Sequence, residues 1–258
     1  MLKKRLIGVV TVRQGLAVQS FGYRRYLPLG RPEVLAENLD RWGADEILLQ
    51  CIDRSASGHG PDFHLLQRVA TIGLSTPLIY SGGIRDYRDG VEVVRLGADR
   101  VVVDALLWAG SPEIERLARE LGTQAVIGHM PVGVEGGGLV WRNYRNSDVR
   151  KLVSLDCLDA TLPWLSEVML TDWVHEGSPA AFDEAIPDLF PRADIPLILF
   201  GGLSEPFQIQ RVLQRENVVA AAVGNFLSYR EHVVQRLKRS ISGVAMRPAE
   251  FHGLESAT

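Results

Sequence analysis

Eight short apolar runs, separated by longer amphipathic segments, limit what this chain can fold into. The runs are rich in Val, Ile, Leu and Ala, which is typical of parallel strands buried on both faces. We predict strands at residues 6–12, 46–52, 77–81, 100–104, 124–129, 167–172, 196–200 and 218–223. Eight such strands alternating with helices in 258 residues predict an α/β fold, the (β/α)₈ TIM barrel.

Helix punctuation lies between the runs. Pro32 stands at a first helical position and Gly43 ends that helix, and Pro112 and Gly122 bound another helix in the same way. Three further helices have predicted N-caps at Asp62, Asp86 and Ser204. No linker, low-complexity tract or charge block divides the chain. We therefore predict a single domain over 1–258, with a C-terminal tail at 241–258.

The sequence repeats itself once. Residues 46–50 resemble residues 167–171, which start 121 positions later, and residues 77–83 resemble residues 196–202, which start 119 positions later. Asp104 and Asn225 correspond at an offset of 121. Three matches in order at nearly one offset predict two (β/α)₄ half-barrels, at about 1–122 and 123–240.

Composition excludes several classes of protein. Charged residues make up 23% and the net charge is −3, which is typical of a globular protein and gives no basic excess for nucleic acid. No apolar run reaches the ~18 residues of a membrane span. The apolar N-terminal run stops at Thr11 without a signal-peptide cleavage site, and the two cysteines, Cys51 and Cys157, suit a reducing compartment. We predict a cytoplasmic protein.

A glycine pair follows the third strand and the seventh strand of the predicted barrel. Without Cβ atoms, such pairs let the backbone approach an anion and present its N–H groups, although a tight turn is the alternative explanation. The next strand of each half ends at a short helix start that would complete the cradle. We predict a ligand with a phosphate at each end, held at Gly82, Gly83, Asp104 and Ala105 and at Gly201, Gly202, Gly224 and Asn225.

The duplicated halves and twin glycine pairs occur together with three short segments: Lys-Arg-Leu-Ile at 4–7, Gly-Ala-Asp-Glu at 43–46 and Gly-Ala-Asp-Arg at 97–100. Together they resemble the cyclase subunit of imidazole glycerol phosphate synthase, in the HisA/HisF family, and more distantly the related isomerase of histidine biosynthesis. The resemblance runs from Leu2 to about Lys238. It implies a barrel that receives ammonia from a glutaminase subunit along its axis and inserts the nitrogen into a phosphoribosyl substrate.

The resemblance also implies a ring of four charged residues that gates ammonia entry at the N-terminal face of the barrel. The matching positions are Arg5, Glu46, Arg100 and Glu167, with Arg in place of the usual Lys at 100. The alternative is a structural ion-pair plug, because residues on that face usually serve stability. Asp99 matches a family residue that faces the glutaminase.

The catalytic end departs from the family pattern. Thr11 and Pro131 replace the two acid/base aspartates, and Cys51 replaces another aspartate. Cyclisation needs a group that exchanges a proton near neutral pH, which neither Thr11 nor Pro131 supplies unaided. Residues similar to the family's follow the sixth strand. They are Thr171, Glu176, Gly177 and Ser178, of which Gly177 and Ser178 are expected to help bind phosphate.

Other titratable residues are candidates for the acid/base role. They are His129, Asp172, His175, Glu176, Asp53 and Asp104. His129 is either a hydrogen-bonded packing residue or a catalytic one. The glycine-rich stretch 133–138 is either a mobile loop over the site or a hairpin turn. No His-x-Glu or Cys-x-x-Cys spacing indicates a metal, and we predict no cofactor.

Three hypotheses follow. The first is a divergent paralogue that channels ammonia from a HisH-like glutaminase, in a heterodimer, to a phosphorylated or sugar-type acceptor. It resembles barrels found with sugar-amidating enzymes of surface-polysaccharide pathways. The second is a genuine cyclase, a lyase of histidine biosynthesis, with a rewired pair such as His129 with Asp172 or Glu176. The third is a non-catalytic barrel that binds a phosphorylated metabolite. None of the three predicts contact with a membrane or nucleic acid.

Overall fold

The computed structural model describes residues 3–143, 145, 149–229 and 232–249, and the end of the predicted tail, 250–258, lies outside the described residues. The strands in this part of the chain are β1 (Arg5–Arg13), β2 (Leu16–Phe21), β3 (Arg25–Gly30), β4 (Glu46–Cys51), β5 (Leu78–Ser81), β6 (Arg100–Val103), β7 (Val126–Glu135), β8 (Gly138–Arg142), β9 (Arg150–Leu152), β10 (Glu167–Asp172), β11 (Leu197–Phe200) and β12 (Val218–Val223). The α-helices are α1 (Pro32–Arg41), α2 (Ile52–Ser57), α3 (Phe63–Ala70), α4 (Tyr87–Arg95), α5 (Ala105–Trp108), α6 (Glu113–Leu121), α7 (Ile186–Leu189), α8 (Pro206–Leu213) and α9 (Val233–Ser240).

Eight parallel strands close into a barrel. From β1 the order runs β4, β5, β6 and β7 on one side and β12, β11 and β10 on the other, and β10 pairs with β7 to complete the circle. The predicted (β/α)₈ barrel is confirmed, and each predicted strand corresponds to one barrel strand. Because closure pairs every barrel strand on both sides, the barrel itself has no open edge.

Alternate residues of each strand enter two separate apolar cores. Along β1, Ile7 and Val9 face the barrel axis, whereas Leu6 and Val10 belong to the larger core between the strands and the surrounding helices. Because both faces of each barrel strand are buried, apolar and polar residues do not alternate along these strands in the sequence.

Helix starts follow the predicted signals at two of the three N-caps. The side chains of Asp62 and Asp86 accept the N–H groups of Leu65 and Asp89. The prediction for Ser204 is wrong: α8 begins at Pro206, after Glu205, because proline suits the first helical position. The hydroxyl of Ser204 instead accepts the N–H of Ala180 (2.8 Å).

Two antiparallel hairpins extend beyond the barrel at its C-terminal end. Strand β1 continues into the β2–β3 hairpin (residues 16–30), and β7 continues past its predicted end to Glu135 and turns back into β8, which pairs with β9. The stretch 133–138 is therefore a hairpin turn. The β2–β3 hairpin and strand β9 are absent from the sequence prediction, whereas the turn at 133–138 is one of its two alternatives.

The N-terminal end of the barrel is joined to the described part of the tail. Lys4 and Met246 form an isolated parallel bridge, and Lys238 forms a buried ion pair with Asp45 (2.8 Å). None of the helices in the described ranges is long and apolar enough to cross a bilayer.

Candidate functional site

Four charged side chains form a closed ring at the N-terminal end of the barrel. Arg5 contacts Glu46 (Nη1–Oε1 2.9 Å) and Glu167 (Nη2–Oε1 2.6 Å). Arg100 contacts the same two carboxylates, at 3.2 Å from Glu46 Oε1 and 2.9 Å from Glu167 Oε2. Each cation thus touches both anions, so the structure brings together the four residues that the sequence singled out.

The ring is buried and anchored to its surroundings. The four side chains are at most 13% exposed, and burial raises the pKa of Glu46 against the attraction of Arg5 and Arg100. Arg100 also donates to Ser166 Oγ (2.7 Å) and to the carbonyl of Gln124 (3.1 Å). A lysine has a single nitrogen and could not make all these contacts at once, so Arg at this position holds the ring more rigidly.

Asp99 lies on the same end of the barrel and is exposed. Its carboxylate accepts the N–H of Leu78 (2.7 Å), and Asp45 accepts the N–H of Leu6 (2.7 Å) in the same manner. The two Gly-Ala-Asp segments therefore share a structural role at neighbouring strand starts. The expected contact of Asp99 with a glutaminase stays a prediction.

Above the ring, the barrel interior is apolar. Side chains from all eight barrel strands fill it: Ile7, Val9, Leu48, Ile79, Val102, Ile127, Met169, Ile198, Phe200, Ala220 and Ala222. Two residues further along their strands, towards the C-terminal end, lies a buried polar layer: Thr11, Gln50, Ser81, Asp104, His129 and Thr171. The interior thus changes from charged to apolar to polar along its axis.

A cavity of about 190 Å³ opens at this polar layer. Its walls combine aromatic rings with hydrogen-bonding groups, among them Tyr23, Tyr26, Gln50, Cys51, Ser55, Asp104, His129, Pro131, Arg142 and Trp173. The guanidinium of Arg142 stacks on Trp173, 4.2 Å from the ring centroid. We call this space the central cavity.

Thr11 and Pro131 occupy equivalent places in the two halves. Thr11 pairs with Gln50 of β4, and Pro131 pairs with Thr171 of β10. Neither side chain can exchange a proton near neutral pH unaided. Burial raises the pKa of Cys51 to about 12, so this cavity residue is a neutral thiol.

His129 lies in the polar layer and lines the central cavity. Its Nε2 is 2.9 Å from Thr171 Oγ1. Burial lowers the pKa of His129 to about 4, so the imidazole is neutral at physiological pH. A neutral imidazole can accept a proton, but with this pKa it is a weak base and cannot serve as an acid at pH 7.

Asp172 binds the loop that follows β10. Its carboxylate accepts the N–H groups of Val174, His175 and Asp183 and contacts the His175 ring (Oδ2–Nδ1 2.7 Å). Within the described part of the chain, Asp172 does not line the central cavity. Asp53, another candidate, accepts the N–H of Gln14 (3.0 Å).

Glu176 and Asn225 hold the β2–β3 hairpin down on the second half of the barrel. Glu176 Oε2 accepts the Ser20 hydroxyl (3.0 Å) and the Tyr23 N–H (3.1 Å), and burial raises the pKa of Glu176. The amide of Asn225 bonds both the N–H and the carbonyl of Ser20, at 3.0 and 2.5 Å. A Cβ at Gly177 would collide with that carbonyl.

The glycine pairs form tight turns in both halves. Gly82 and Gly201 have φ of 123° and 97°, and a Cβ at either position would collide with the carbonyl oxygen of Cys51 or Asp172. Glycine is thus required here with or without a ligand. In the second half, Gly177, Ser178, Gly201, Gly202, Gly224 and Asn225 line a small cavity of about 30 Å³.

In the first half, the hydrogen-bond donors around the glycine pair are bonded to acceptors of the chain itself. The N–H of Gly83 donates to Ser55 Oγ (2.8 Å), and the Ser55 hydroxyl donates to Asp104 Oδ2 (2.6 Å). The N–H of Ala105 donates to the other oxygen of Asp104. Within the described ranges, no cluster of His, Cys, Asp and Glu is placed to hold a metal ion.

Comparison with known proteins places this architecture in a family. The model of the histidine biosynthesis protein family matches residues 5–233, which include all eight barrel strands. The chain belongs to the histidine biosynthesis protein family. It is 27% identical over 254 residues to imidazole glycerol phosphate synthase subunit HisF of Thermococcus gammatolerans, covering 96% of this chain and 99% of that protein.

Two other relatives within the histidine biosynthesis protein family match over similar lengths. The HisF subunit of Solibacter usitatus is 29% identical over 253 residues, covering 96% of this chain and 99% of that protein. A putative imidazole glycerol phosphate synthase subunit, hisF3, of Vibrio vulnificus is 25% identical over 236 residues, covering 89% and 90%. The chain is thus a HisF-like barrel that spans almost the full length of these relatives.

Two residues at the site of this HisF-like barrel are not among those predicted from the sequence. Ser55 bridges Gly83 to Asp104, and Gln50 lines the central cavity. The internal repeat carried the missing signal: Ser55 precedes Glu176, and Gln50 precedes Thr171, by the same 121 positions as Asp104 precedes Asn225.

Proposed function

We propose that this HisF-like barrel passes ammonia from a glutaminase partner to an amidation reaction and does not itself carry out the cyclase reaction. The observation that carries the proposal is the four-charge ring over an apolar barrel interior. The relatives are named as subunits of imidazole glycerol phosphate synthase, which supports a partner subunit for this chain as well.

The interior suits ammonia and not ammonium. Burying an unpaired cation among apolar side chains is costly, whereas neutral ammonia loses far less hydration. A shift of one ring side chain would open a passage between Arg5 and Glu167, because these residues meet only through their side chains. On this proposal the ring admits ammonia only when a docked partner displaces it.

The C-terminal end argues against cyclase chemistry. Thr11 and Pro131 supply no titrating group, and the buried imidazole of His129 has a pKa of about 4. The carboxylates of Asp172 and Glu176 are engaged in holding loops. Asp104, whose pKa burial raises, is bonded to Ser55 and Ala105. General acid–base catalysis needs a group that titrates close to the operating pH.

The second-half cavity is the better candidate for a phosphate. Among the described residues, the N–H groups of Gly177 and Gly202 donate to no other protein atom. Both glycines line the 30 Å³ cavity with Gly224 and Asn225. Unpaired N–H groups that converge on a small cavity favour an anion.

The proposal is tested by measuring glutamate release by the glutaminase subunit of the same organism, with and without the barrel. We expect stimulation of roughly 5- to 150-fold, the usual range of coupling between sites. Glu167→Gln should alter that stimulation, because it removes one ring charge without changing size. Glu184→Gln, on the outer surface, is the matched control. Absence of stimulation, or identical behaviour of the two variants, contradicts the proposal.

A genuine cyclase is the second candidate, favoured by the position of His129 in the wall of the central cavity. It predicts ammonium-dependent turnover of the phosphoribosyl substrate that disappears in His129→Ala. Turnover by the isolated barrel would exclude a purely conducting role.

A further inference from the structure

Equivalent backbone positions in the two halves of the barrel carry different side chains. Asp104 and Asn225 are related by the internal repeat, yet one carries a carboxyl group and the other an amide. Asp104 is 6% exposed, and its two carboxyl oxygens accept hydrogen bonds from the Ser55 hydroxyl and the Ala105 N–H. The amide of Asn225 is turned towards Ser20 of the hairpin, which leaves neighbouring N–H groups available.

The carboxyl group of Asp104 stands where an anion would have to be bound. Gly83, Ser55 and Ala105 supply the donors of this cradle, and all three are bonded within the chain. A phosphate placed here would find these donors already bonded and would meet the carboxyl group of Asp104. Burial raises the pKa of that carboxyl group, whereas Ser55, Ala105 and Arg145 stabilise its ionised form. Like charges at such close range repel strongly where water is excluded.

The adjoining wall of the central cavity combines acceptors with the guanidinium groups of Arg24 and Arg142. Gln50 is 4% exposed and lines the cavity, where its side chain interacts with that of Tyr23. Among the described residues, neither the Gln50 side-chain oxygen nor the Tyr23 hydroxyl makes a well-formed hydrogen bond. A buried acceptor without a partner is costly, so it indicates a donor that arrives with a ligand. Tyr23, Tyr26 and Trp173 add aromatic surface to the same cavity, which suits the C–H faces of a sugar ring.

We propose that the ligand of this barrel carries a phosphate at one end only, in the second-half cavity, and presents neutral hydroxyl groups to Asp104 and Gln50 at the other end. Asp104 is the residue that sets this specificity. The inference rests on the second-half phosphate site of the proposed function. It does not depend on ammonia passage or on a glutaminase.

Counting phosphate sites tests the proposal on the isolated barrel. Calorimetric titration with inorganic phosphate, checked by crystals soaked in phosphate, should give one site in the wild type and two in Asp104→Asn. Asn225→Asp should have none. First-half affinity in Asp104→Asn should exceed that of the wild type by at least about tenfold, because the repelling charge is gone. Asp86→Asn makes the same charge change at a helix N-cap and should match the wild type.

Two phosphate sites in the wild type, or no additional site in Asp104→Asn, would overturn the role of Asp104. No site in the wild type with one in Asp104→Asn would overturn the second-half site while upholding that role. Soaking wild-type crystals with ribitol tests the hydroxyl end. We expect ribitol within hydrogen-bond distance of Asp104 or Gln50, and an empty central cavity after the soak overturns that part.

Discussion

The imidazole of His129 lies between the apolar filling of the barrel and the central cavity, within hydrogen-bond distance of Thr171. Burial disfavours the charged imidazolium and lowers its pKa to about 4. The position of a histidine at the C-terminal end of a barrel strand suggests a catalytic role. Its burial instead favours a neutral imidazole hydrogen-bonded to Thr171, as the proposed function expects.

This shift has a consequence for stability. At pH values between the ordinary histidine pKa of 6.5 and the folded-state pKa of about 4, His129 is protonated in the unfolded chain and neutral in the folded chain. Folding is therefore weakened as the pH falls through that window. Urea unfolding at pH 7 and pH 5 should show a loss that is about 2 kcal/mol larger in the wild type than in His129→Gln. His64→Gln, on an exposed helix face, should behave like the wild type, and equal losses in all three proteins would contradict the account.

At the scale of elements, the barrel strands could be predicted from the sequence, the β7–β8 turn only as one of two alternatives, and the β2–β3 hairpin not at all. Barrel strands are buried on both faces, which produces continuous apolar runs. Strand β3 is largely exposed and contains Pro28, and β9 has only three residues, so neither leaves such a run. The hairpins are specified instead by long-range contacts, such as those that Glu176 and Asn225 make with Ser20.

The same distinction applies to the candidate site. The charged ring could be predicted because the family resemblance supplies its four positions. Each position opens a strand, and parallel strands bring their starts together. The bond between Ser55 and Asp104 could not be predicted, because it joins helix α2 to the N-cap of helix α5, and the approach of these two helices depends on the path of the chain. The internal repeat would have identified Ser55 as a position of interest, but not its partner.

Side-chain hydrogen bonds from Glu176 and Asn225 attach the β2–β3 hairpin to the barrel, which makes this attachment testable. Glu176→Ala removes the acceptor of the Ser20 hydroxyl and the Tyr23 N–H. Hydrogen bonds to a charged group contribute about 1.5–3 kcal/mol each, so the hairpin should open roughly tenfold more often or beyond. Limited trypsin digestion at Arg24 and Arg25 should accelerate in proportion. Glu184→Ala serves as the control, and unchanged cleavage at these arginines would show that other contacts hold the hairpin.

At the scale of the whole molecule, the ring joins strands that are far apart in sequence. Arg5, Glu46, Arg100 and Glu167 start four different barrel strands, and their contacts cross the barrel axis. A gate and a structural plug would both use such a ring, but they differ in how it responds to a partner. The strength of its internal coupling bears on both, because a gate has to break contacts that a plug keeps.

A double-mutant cycle on Arg100 and Glu167 measures this coupling. Either single change, Arg100→Met or Glu167→Leu, leaves a buried charge poorly compensated and should cost about 3–5 kcal/mol of unfolding free energy. The double variant should be less destabilised than the sum of the two, with a coupling of about 1–3 kcal/mol in urea unfolding. The exposed pair of Arg211 and Glu184, changed in the same way, should couple by less than about 1 kcal/mol.

Equal coupling in the two pairs would mean that the ring adds no more to barrel closure than a surface ion pair. Strong coupling that a bound glutaminase subunit lowers would support a gate over a plug.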